Sequence, residues 1–472
     1  MSAQEYDLVV IGAGPVGENV ADRAVQGGLR VAIVESELVG GECSYWACMP
    51  SKALLRSGAA VRAARAVDGA AQAVTGDVDV AATLARRTRI THDWTDTSQV
   101  EWLESAGIDL VRGHARIAGR KRVEVTGPGG EVVDLIAIHA VAVCTGSAAL
   151  LPATPGLAQI GAWTSREATS AASAPASLAI IGGGVVGCEM ATAYASFGTD
   201  VTLIARSGLL GGMEPFAGEM VGEALTAQGA RVLTGVDVVS ASRGPAGRTL
   251  TLSDGTSVTA DEVLVATGRV PRTADLGLEA VGLAPGDWLD VDDTMLVKDT
   301  DWLYAVGDVN HRALLTHQGK YQARAAGDVI AARAQGRPVD TSRWGTHVAT
   351  ADHDHVPQVT FTDPEVASVG LTAERAEAAG INIRVLDYDL SWVAGAATTS
   401  DDYRGRARAV VDRDRDVLVG ATFVGPDVAE MLHSATIAIV GEVPLARLWH
   451  AVPAYPTVSE VWLRWLETYG RP

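Results

Sequence analysis

The chain has 472 residues, enough for about three domains at roughly 100–200 residues each and for a sizeable core without metal or disulfide staples. Apolar residues make up 47% and charged residues 20%, the composition of an ordered globular protein. Lys+Arg minus Asp+Glu is 38 − 57 = −19, a balance that argues against a nucleic-acid partner and reads as a solvated surface. The N-terminal residues carry no basic region, so no secretory signal is expected to begin there. Four cysteines, Cys43, Cys48, Cys144 and Cys188, are too sparse for a secreted disulfide scaffold.

In chain order, Tyr6 to Ile11 is a short apolar run, consistent with a buried parallel strand. It enters Gly12-Ala13-Gly14-Pro15-Val16-Gly17, then a helical stretch, then a second apolar run, Val31 to Val34, ending at Glu35. Strand, glycine turn, helix, strand and acid form a dinucleotide-binding unit. Gly12 permits the tight turn, Gly14 lets backbone approach a pyrophosphate, and Gly17 lets helix and strand pack closely. The helix N-terminus faces the phosphates. The Ala-rich stretch 53–86 is a helical excursion with a break near Asp68-Gly69.

One long uncharged run is Ala168 to Cys188. Its first half is Ala, Ser, Thr and Pro, and its second contains Gly182-Gly183-Gly184, so it reads as loop, strand and turn rather than a membrane helix. Within it the nucleotide pattern recurs: Leu178 to Ile181, then Gly182, Gly184 and Gly187 in a second turn, a helix through Phe197, and a strand Asp200 to Ile204. Two such units imply two dinucleotides. The strands ending at Thr145-Gly146 and Thr267-Gly268 would each return the chain to a nucleotide, with the second unit inserted into the first. After about residue 344, strands mix with helices as in a separate α+β domain. The expected fold is α/β, with two Rossmann-like domains and a C-terminal α+β dimerisation domain. The expected bounds are 1–150 with 269–343, then 151–268, then 344–472.

Cys43 and Cys48 fall in a segment running from Gly40-Gly41 to Ser51-Lys52. Positions five apart lie about 140° round an ideal helix, so the thiols could pair only across a distorted turn, which Gly40-Gly41 and Pro50 would allow. Buried structural cysteines and half a zinc site are the alternatives to a redox pair. Zinc would need further ligands that no second Cys pair or close His pair supplies, so no metal site is expected.

With these residues the chain resembles the flavin-dependent pyridine nucleotide–disulfide oxidoreductases, the family of dihydrolipoamide dehydrogenase, glutathione reductase and mercuric reductase. The resemblance spans essentially the whole chain, including Gly113-His114-Ala115, Ala266 to Pro271, Tyr304 to Asp308 and Phe361 to Glu365. It implies FAD, and a relay from nicotinamide through FAD and Cys43–Cys48 to a substrate. Cys43 would be the interchange thiol and Cys48 the flavin-side thiol. Lys52 would approach the flavin, with Glu189 as its acidic partner. Asp308 would accept hydrogen bonds from the ribityl chain, and Gly307 would admit the cofactor. Ala115, Thr145 and Gly146 would line the same cofactor, and Gly268 the nicotinamide side.

Where the first unit has Glu35, suited to a ribose 2′-hydroxyl, the second reads Ala205-Arg206. Arginine attracts a 2′-phosphate, so NADPH is favoured, with NADH possible; an unrelated ion pair is the alternative use of Arg206. NADPH-linked relatives often carry a second arginine where this chain has Gly212. Thiol-reducing relatives end in His-Pro-Thr-x-x-Glu, contributed by the other subunit, which implies a homodimer. Here the segment is Tyr455-Pro456-Thr457-Val458-Ser459-Glu460. Tyrosine, with a reference pKa of ~10, is a poor base at pH 7 but can donate a proton. The departure disfavours oxidation of a dithiol and allows reduction of a disulfide. Mercuric reductase carries a C-terminal cysteine pair; the last cysteine here is Cys188, so a mercury-specific role is not expected.

The expected function is NADPH-dependent reduction of a disulfide or similar thiol-reactive small molecule by a soluble cytoplasmic flavoprotein without membrane partners. The alternatives are a quinone or metal-ion reductase in which the cysteines are secondary, and a non-catalytic redox sensor.

Overall fold

The computed structural model describes residues 3–471. Internal contacts divide the chain into two compact units: Met1–Pro50, Thr88–Leu150 and Arg269–His353, and Ser51–Arg87, Leu151–Gly268 and Asp354–Pro472.

The first unit is built on strand Gln4–Ile11, which runs parallel to Val31–Glu35 on one side and to Val132–Val143 on the other. Asp109–Arg112 and Leu303–Ala305 add further parallel strands, and Arg122–Thr126 and His114–Gly119 extend the sheet antiparallel. Leu8, Val9 and Val10 are fully buried, because a central parallel strand is covered on both faces. Helix Pro15–Gln26 makes the crossover and packs on helix Thr316–Ala334. The approach is close because small residues line it: a Cβ on Gly327 would lie 2.6 Å from Arg23 Cβ, and one on Gly319 2.6 Å from Val16 Cγ2. Arg23 locks the pair with a forked bond to Asp328 at 2.7 and 2.9 Å.

In the second unit, strands Arg231–Thr234, Asp200–Ala205, Ser177–Ile181 and Glu262–Val265 form a parallel sheet in that order. Helix Val185–Ser196 follows its central strand and is buried from Gly187 through Tyr194, apolar nearly all round apart from Glu189. A three-stranded antiparallel sheet, Val238–Gly244, Gly247–Leu252 and Ser257–Ala260, stands beside it in sequence. The C-terminal part is a five-stranded antiparallel sheet from Pro357 to Gly425, accompanied by helices Leu432–Val440 and Val461–Tyr469. Arg408 ties it to the nucleotide-type part through Glu214 at 2.8 Å, a carboxylate that also accepts from Ala373 N.

The α/β architecture with a third, α+β part is the one expected. The 168–188 run departs from its expectation at the start: helix Ser165–Ser170 reaches into it. Thr164 and Glu167 form a reciprocal capping box there, which satisfies the amides of a first helical turn. The 53–86 stretch divides between helix Cys48–Arg65 and helix Val80–Ile90, with the break at the expected place. No helix among the described residues is long and apolar enough to cross a membrane.

Candidate active site

In the first unit the glycine turn sits at the carboxyl end of the central strand. Gly12 has φ +99°, and a Cβ there would meet Cys144 O at 2.6 Å. A Cβ on Gly17 would lie 1.9 Å from Gly12 O, so only glycine lets the helix start this close to the turn. Gly14 caps helix Pro15–Gln26 without any side-chain bond, leaving first-turn amides available to an anion. Glu35 accepts from Ala13 N at 2.7 Å and from Glu37 N at 2.8 Å, which holds its carboxylate beside the turn; burial pushes its carboxyl up. Ala115 is buried on strand His114–Gly119.

The other wall carries Thr145, Gly146, Gly307 and Asp308. Thr145 Oγ1 is buried without a hydrogen-bond partner among the described residues, and a Cβ on Gly146 would meet nothing within 4 Å. Gly307, at φ +82°, donates to Gln322 Oε1 at 2.8 Å, which fixes the loop bearing Asp308. Asp308 accepts from the Ser147 hydroxyl, and Ser147 in turn accepts from Arg269. Open backbone at Gly146, an orphaned hydroxyl and two carboxylates suit a polyhydroxylated diphosphate such as FAD, so these residues fit that cofactor.

The cysteine segment breaks as its sequence requires. Gly40 and Gly41 take positive φ, a short helix Gly41–Tyr45 ends at Trp46, and a new helix begins at Cys48. Pro50 falls in the first turn of that helix, where no amide donor is missed. Tyr45 is fully buried, its hydroxyl donating to Val39 and Thr95 carbonyls, and it anchors the break. Cys43 and Cys48 therefore belong to different helices, and their thiols face each other closely enough to hydrogen-bond. That contact and burial push the Cys43 thiol up. Cys48 Sγ is 3.2 Å from Thr316 Oγ1, at the start of helix Thr316–Ala334. Glu42, beside Cys43, pairs with Arg272 at 2.8 Å. Sequence reading missed Ser147, Arg269, Arg272 and Thr316; the two arginines in Arg269-Val270-Pro271-Arg272 were the available signal.

The second unit repeats the turn. Gly182 has φ +117°, Gly187 would clash with Gly182 O at 1.9 Å if it bore a Cβ, and Gly184 caps its helix with open space around it. The sheet register makes the internal comparison exact in position: Ile11 pairs with Val34, and Ile181 with Ile204. Ala205 thus stands where Glu35 stands, and a Cβ on Gly183 would be 2.9 Å from the Ala205 methyl. Arg206 follows, exposed at the end of the strand.

Glu189 is 3% exposed on the buried helix. Lys52 Nζ donates to its two oxygens at 2.8 and 3.0 Å, and Phe361 N donates to Oε1 at 3.0 Å. The ammonium also lies 4.8 Å from the centre of the Phe361 ring. A buried carboxylate is thereby paired and hydrogen-bonded. Gly268 has φ +148° at the end of the returning strand's loop. Tyr455 is 78% exposed, whereas Glu460 is buried, with Oε2 unpartnered among the described residues and Arg464 3.8 Å from Oε1.

Residues 6–336 match the model of the pyridine nucleotide-disulphide oxidoreductase family, and residues 356–465 match that family's dimerisation domain. The chain is 33% identical to dihydrolipoyl dehydrogenase of Halobacterium salinarum, covering 96% of this chain and 94% of that one. It is 30% identical to mercuric reductase of Staphylococcus aureus, over 97% of this chain and 81% of the relative. Among solved structures, the flavoprotein disulfide reductase RclA of Escherichia coli superimposes with a TM-score of 0.84 at 23% identity, covering 99% and 100% of the two chains. The chain belongs to the pyridine nucleotide-disulphide oxidoreductases, enzymes that use FAD and NAD(P)H.

Proposed function

We propose that the chain carries electrons from NADPH through FAD and the Cys43–Cys48 pair to a disulfide or similar thiol-reactive small molecule. The observation that carries this reading is the broken-helix cysteine segment, which turns two thiols toward each other where an unbroken helix would hold them apart. FAD, when bound, would supply two-electron transfer between the nicotinamide and the cysteine disulfide. Gly12, Gly14, Gly17, Glu35, Ala115, Thr145, Gly146, Gly307 and Asp308 hold it. Gly182, Gly184, Gly187, Arg206 and Gly268 hold the nicotinamide nucleotide, with Arg206 on the 2′-phosphate of NADPH. Lys52, oriented by Glu189, supplies a cation to the flavin.

The thiol chemistry uses the chain's own residues. The Cys43 thiolate attacks a substrate disulfide, forming a mixed disulfide and releasing one substrate sulfur, protonated by Tyr455 of the partner subunit. Cys48 then attacks Cys43, releasing the second substrate thiol and re-forming Cys43–Cys48. Glu460 orients the tyrosine segment. The match to a dimerisation domain supports a homodimer of this kind. In this reading residues 1–150 and 269–343 serve FAD, 151–268 the nicotinamide and 344–472 the dimer, and the enzyme works in the cytoplasm, where thiols are kept reduced.

The test is turnover of disulfides and quinones with NADPH by wild type and by the Cys43→Ser, Cys48→Ser double variant. Disulfide turnover should vanish in the variant. If wild type reduces only quinones or metal ions, and the variant does so equally well, the cysteines are not the electron exit.

A further inference from the structure

Gln322 is fully buried on helix Thr316–Ala334, and its amide stands between two kinds of group. On one side its Oε1 accepts from Gly307 N at 2.8 Å and from Asn310 Nδ2 at 2.8 Å. Asn310 Nδ2 also donates to Ala305 O at 3.0 Å, and its Oδ1 accepts from Arg312 N at 3.0 Å. On the other side Gln322 Nε2 donates to Asp352 Oδ2 at 2.9 Å. Asp352 ends the short turn Thr350–Asp352, and its side chain is 1% exposed. Its second oxygen, Oδ1, accepts at 2.9 Å from Nε2 of Gln318, one turn back on the same helix. Ala351 N donates to the Tyr321 hydroxyl at 3.2 Å, so a backbone bond also seats the turn on that helix.

The polarity of this arrangement is forced. A backbone N–H can only donate and a carboxylate can only accept, whereas an amide side chain carries one of each and exchanges them when it turns over. Turned over, Gln322 would set Nε2 against the donors Gly307 N and Asn310 Nδ2, and Oε1 against the acid. Asp352 therefore decides which end of Gln322 faces Gly307, the residue before Asp308. Without that acceptor Gln322 Nε2 would be a buried donor left unsatisfied, which is costly. The charged groups around Asp352 are Arg312, whose Nη1 lies 3.7 Å from Oδ2, and beyond it Asp293 and His353, which pair with each other at 2.8 Å and with Arg312. Burial pushes the Asp352 carboxyl up, against the pull of Gln318, Arg312 and Gln322. Both of its oxygens accept hydrogen bonds, as those of a carboxylate do.

We propose that Asp352 is a positioning residue for FAD: by fixing the amide of Gln322 it holds the Gly307-Asp308 backbone in the form that presents Asp308 to the cofactor. The proposal rests on the reading that places Asp308 against FAD. Asp352 itself acts through Gln322, and no motif around it marks it for this purpose.

The test is the rate of FAD release from the full-length holoenzyme on dilution, read as free flavin fluorescence at about pH 6 and about pH 8.5, each relative to wild type at the same pH. Gln322→Glu keeps an oxygen toward Gly307 N but sets a second carboxyl against Asp352. Two carboxyls sharing a site hold a proton between them at low pH and repel when both ionise. That variant should keep FAD nearly as wild type does at the lower pH and release it about tenfold faster or more at the higher pH. Adding Asp352→Asn to Gln322→Glu exchanges acid and amide, so donor again faces acceptor, and release at the higher pH should return to within about threefold of wild type. Release from Gln322→Glu that does not depend on pH overturns the proposal, as does an exchanged pair no better than that variant. If only the exchanged pair holds FAD, the proposal stands. If neither holds it, Asp352→Leu decides: release at the wild-type rate overturns the proposal, and so does loss of FAD together with NAD(P)H binding. Loss or faster release of FAD with NAD(P)H binding intact supports it. If Asp308→Ala releases FAD no faster than wild type, the placing of Asp308 at the cofactor falls, which is a separate failure.

Discussion

If NADPH is the preferred coenzyme as proposed, the preference should invert on changing two neighbouring residues. Ala205 occupies the register position of Glu35, and Gly183 that of Ala13, whose amide Glu35 uses at 2.7 Å. Ala205→Glu should therefore place a carboxylate against the Gly183 amide, where it repels a 2′-phosphate and accepts from a ribose hydroxyl. Arg206→Ala removes the exposed cation beside it. A hydrogen bond to a charged group contributes about 1.5–3 kcal/mol, and each ~1.4 kcal/mol is tenfold. Arg206→Ala alone should lower kcat/KM for NADPH by roughly 10–100-fold and leave NADH nearly unchanged. With Ala205→Glu the NADPH/NADH ratio should move by about 10²–10³ in total. The assay is steady-state reduction of an artificial acceptor with each coenzyme, so that the thiol steps do not limit. A wild type with the higher kcat/KM for NADH refutes the reasoning, as does an Arg206→Ala protein weakened equally toward both.

Purified protein should contain one FAD per chain, and Gly12→Ala, with a Cβ 2.6 Å from Cys144 O at φ +99°, should lose it; full FAD occupancy in that variant would contradict the cradle. Reduction by NADPH should produce a long-wavelength absorbance band that Cys48→Ser abolishes, while Cys43→Ser should show the band without reductant; identical spectra in all three proteins would reverse the cysteine assignment. Lys52→Met leaves the 3%-exposed Glu189 with Phe361 N as its one donor among the described residues, so both the melting temperature and the rate of flavin reduction should fall; a stopped-flow rate equal to wild type would remove Lys52 from the relay. Mixed and exchanged subunits of inactive Cys43→Ser and Tyr455→Phe proteins should regain activity from one complete site per heterodimer, and confirmed exchange without recovery would exclude Tyr455 from acting across the interface.

Much of the molecule was legible in the residues alone because its constraints are local. Gly17 and Gly187 answer steric demands five residues away, and Gly12 and Gly182 take positive φ within the turn itself, so strand, turn and helix could be placed without knowing what surrounds them. The loss of an acid at Ala205 was visible for the same reason, since two copies of one turn can be compared in register. The helix Ser165–Ser170 escaped because composition drew attention away from the Thr164–Glu167 capping box just upstream. What only the tertiary structure decided lies in contacts between distant segments. The Lys52–Glu189 contact joins residues 137 apart, and Phe361 N reaches Glu189 across 172. Thr316 meets Cys48 across 268. Glu18, buried with Oε1 unpartnered among the described residues, had no motif to announce it. Periodicity and glycine sterics determine elements and turns, whereas the electrostatic environment of a thiol depends on which elements the folded chain stacks against it.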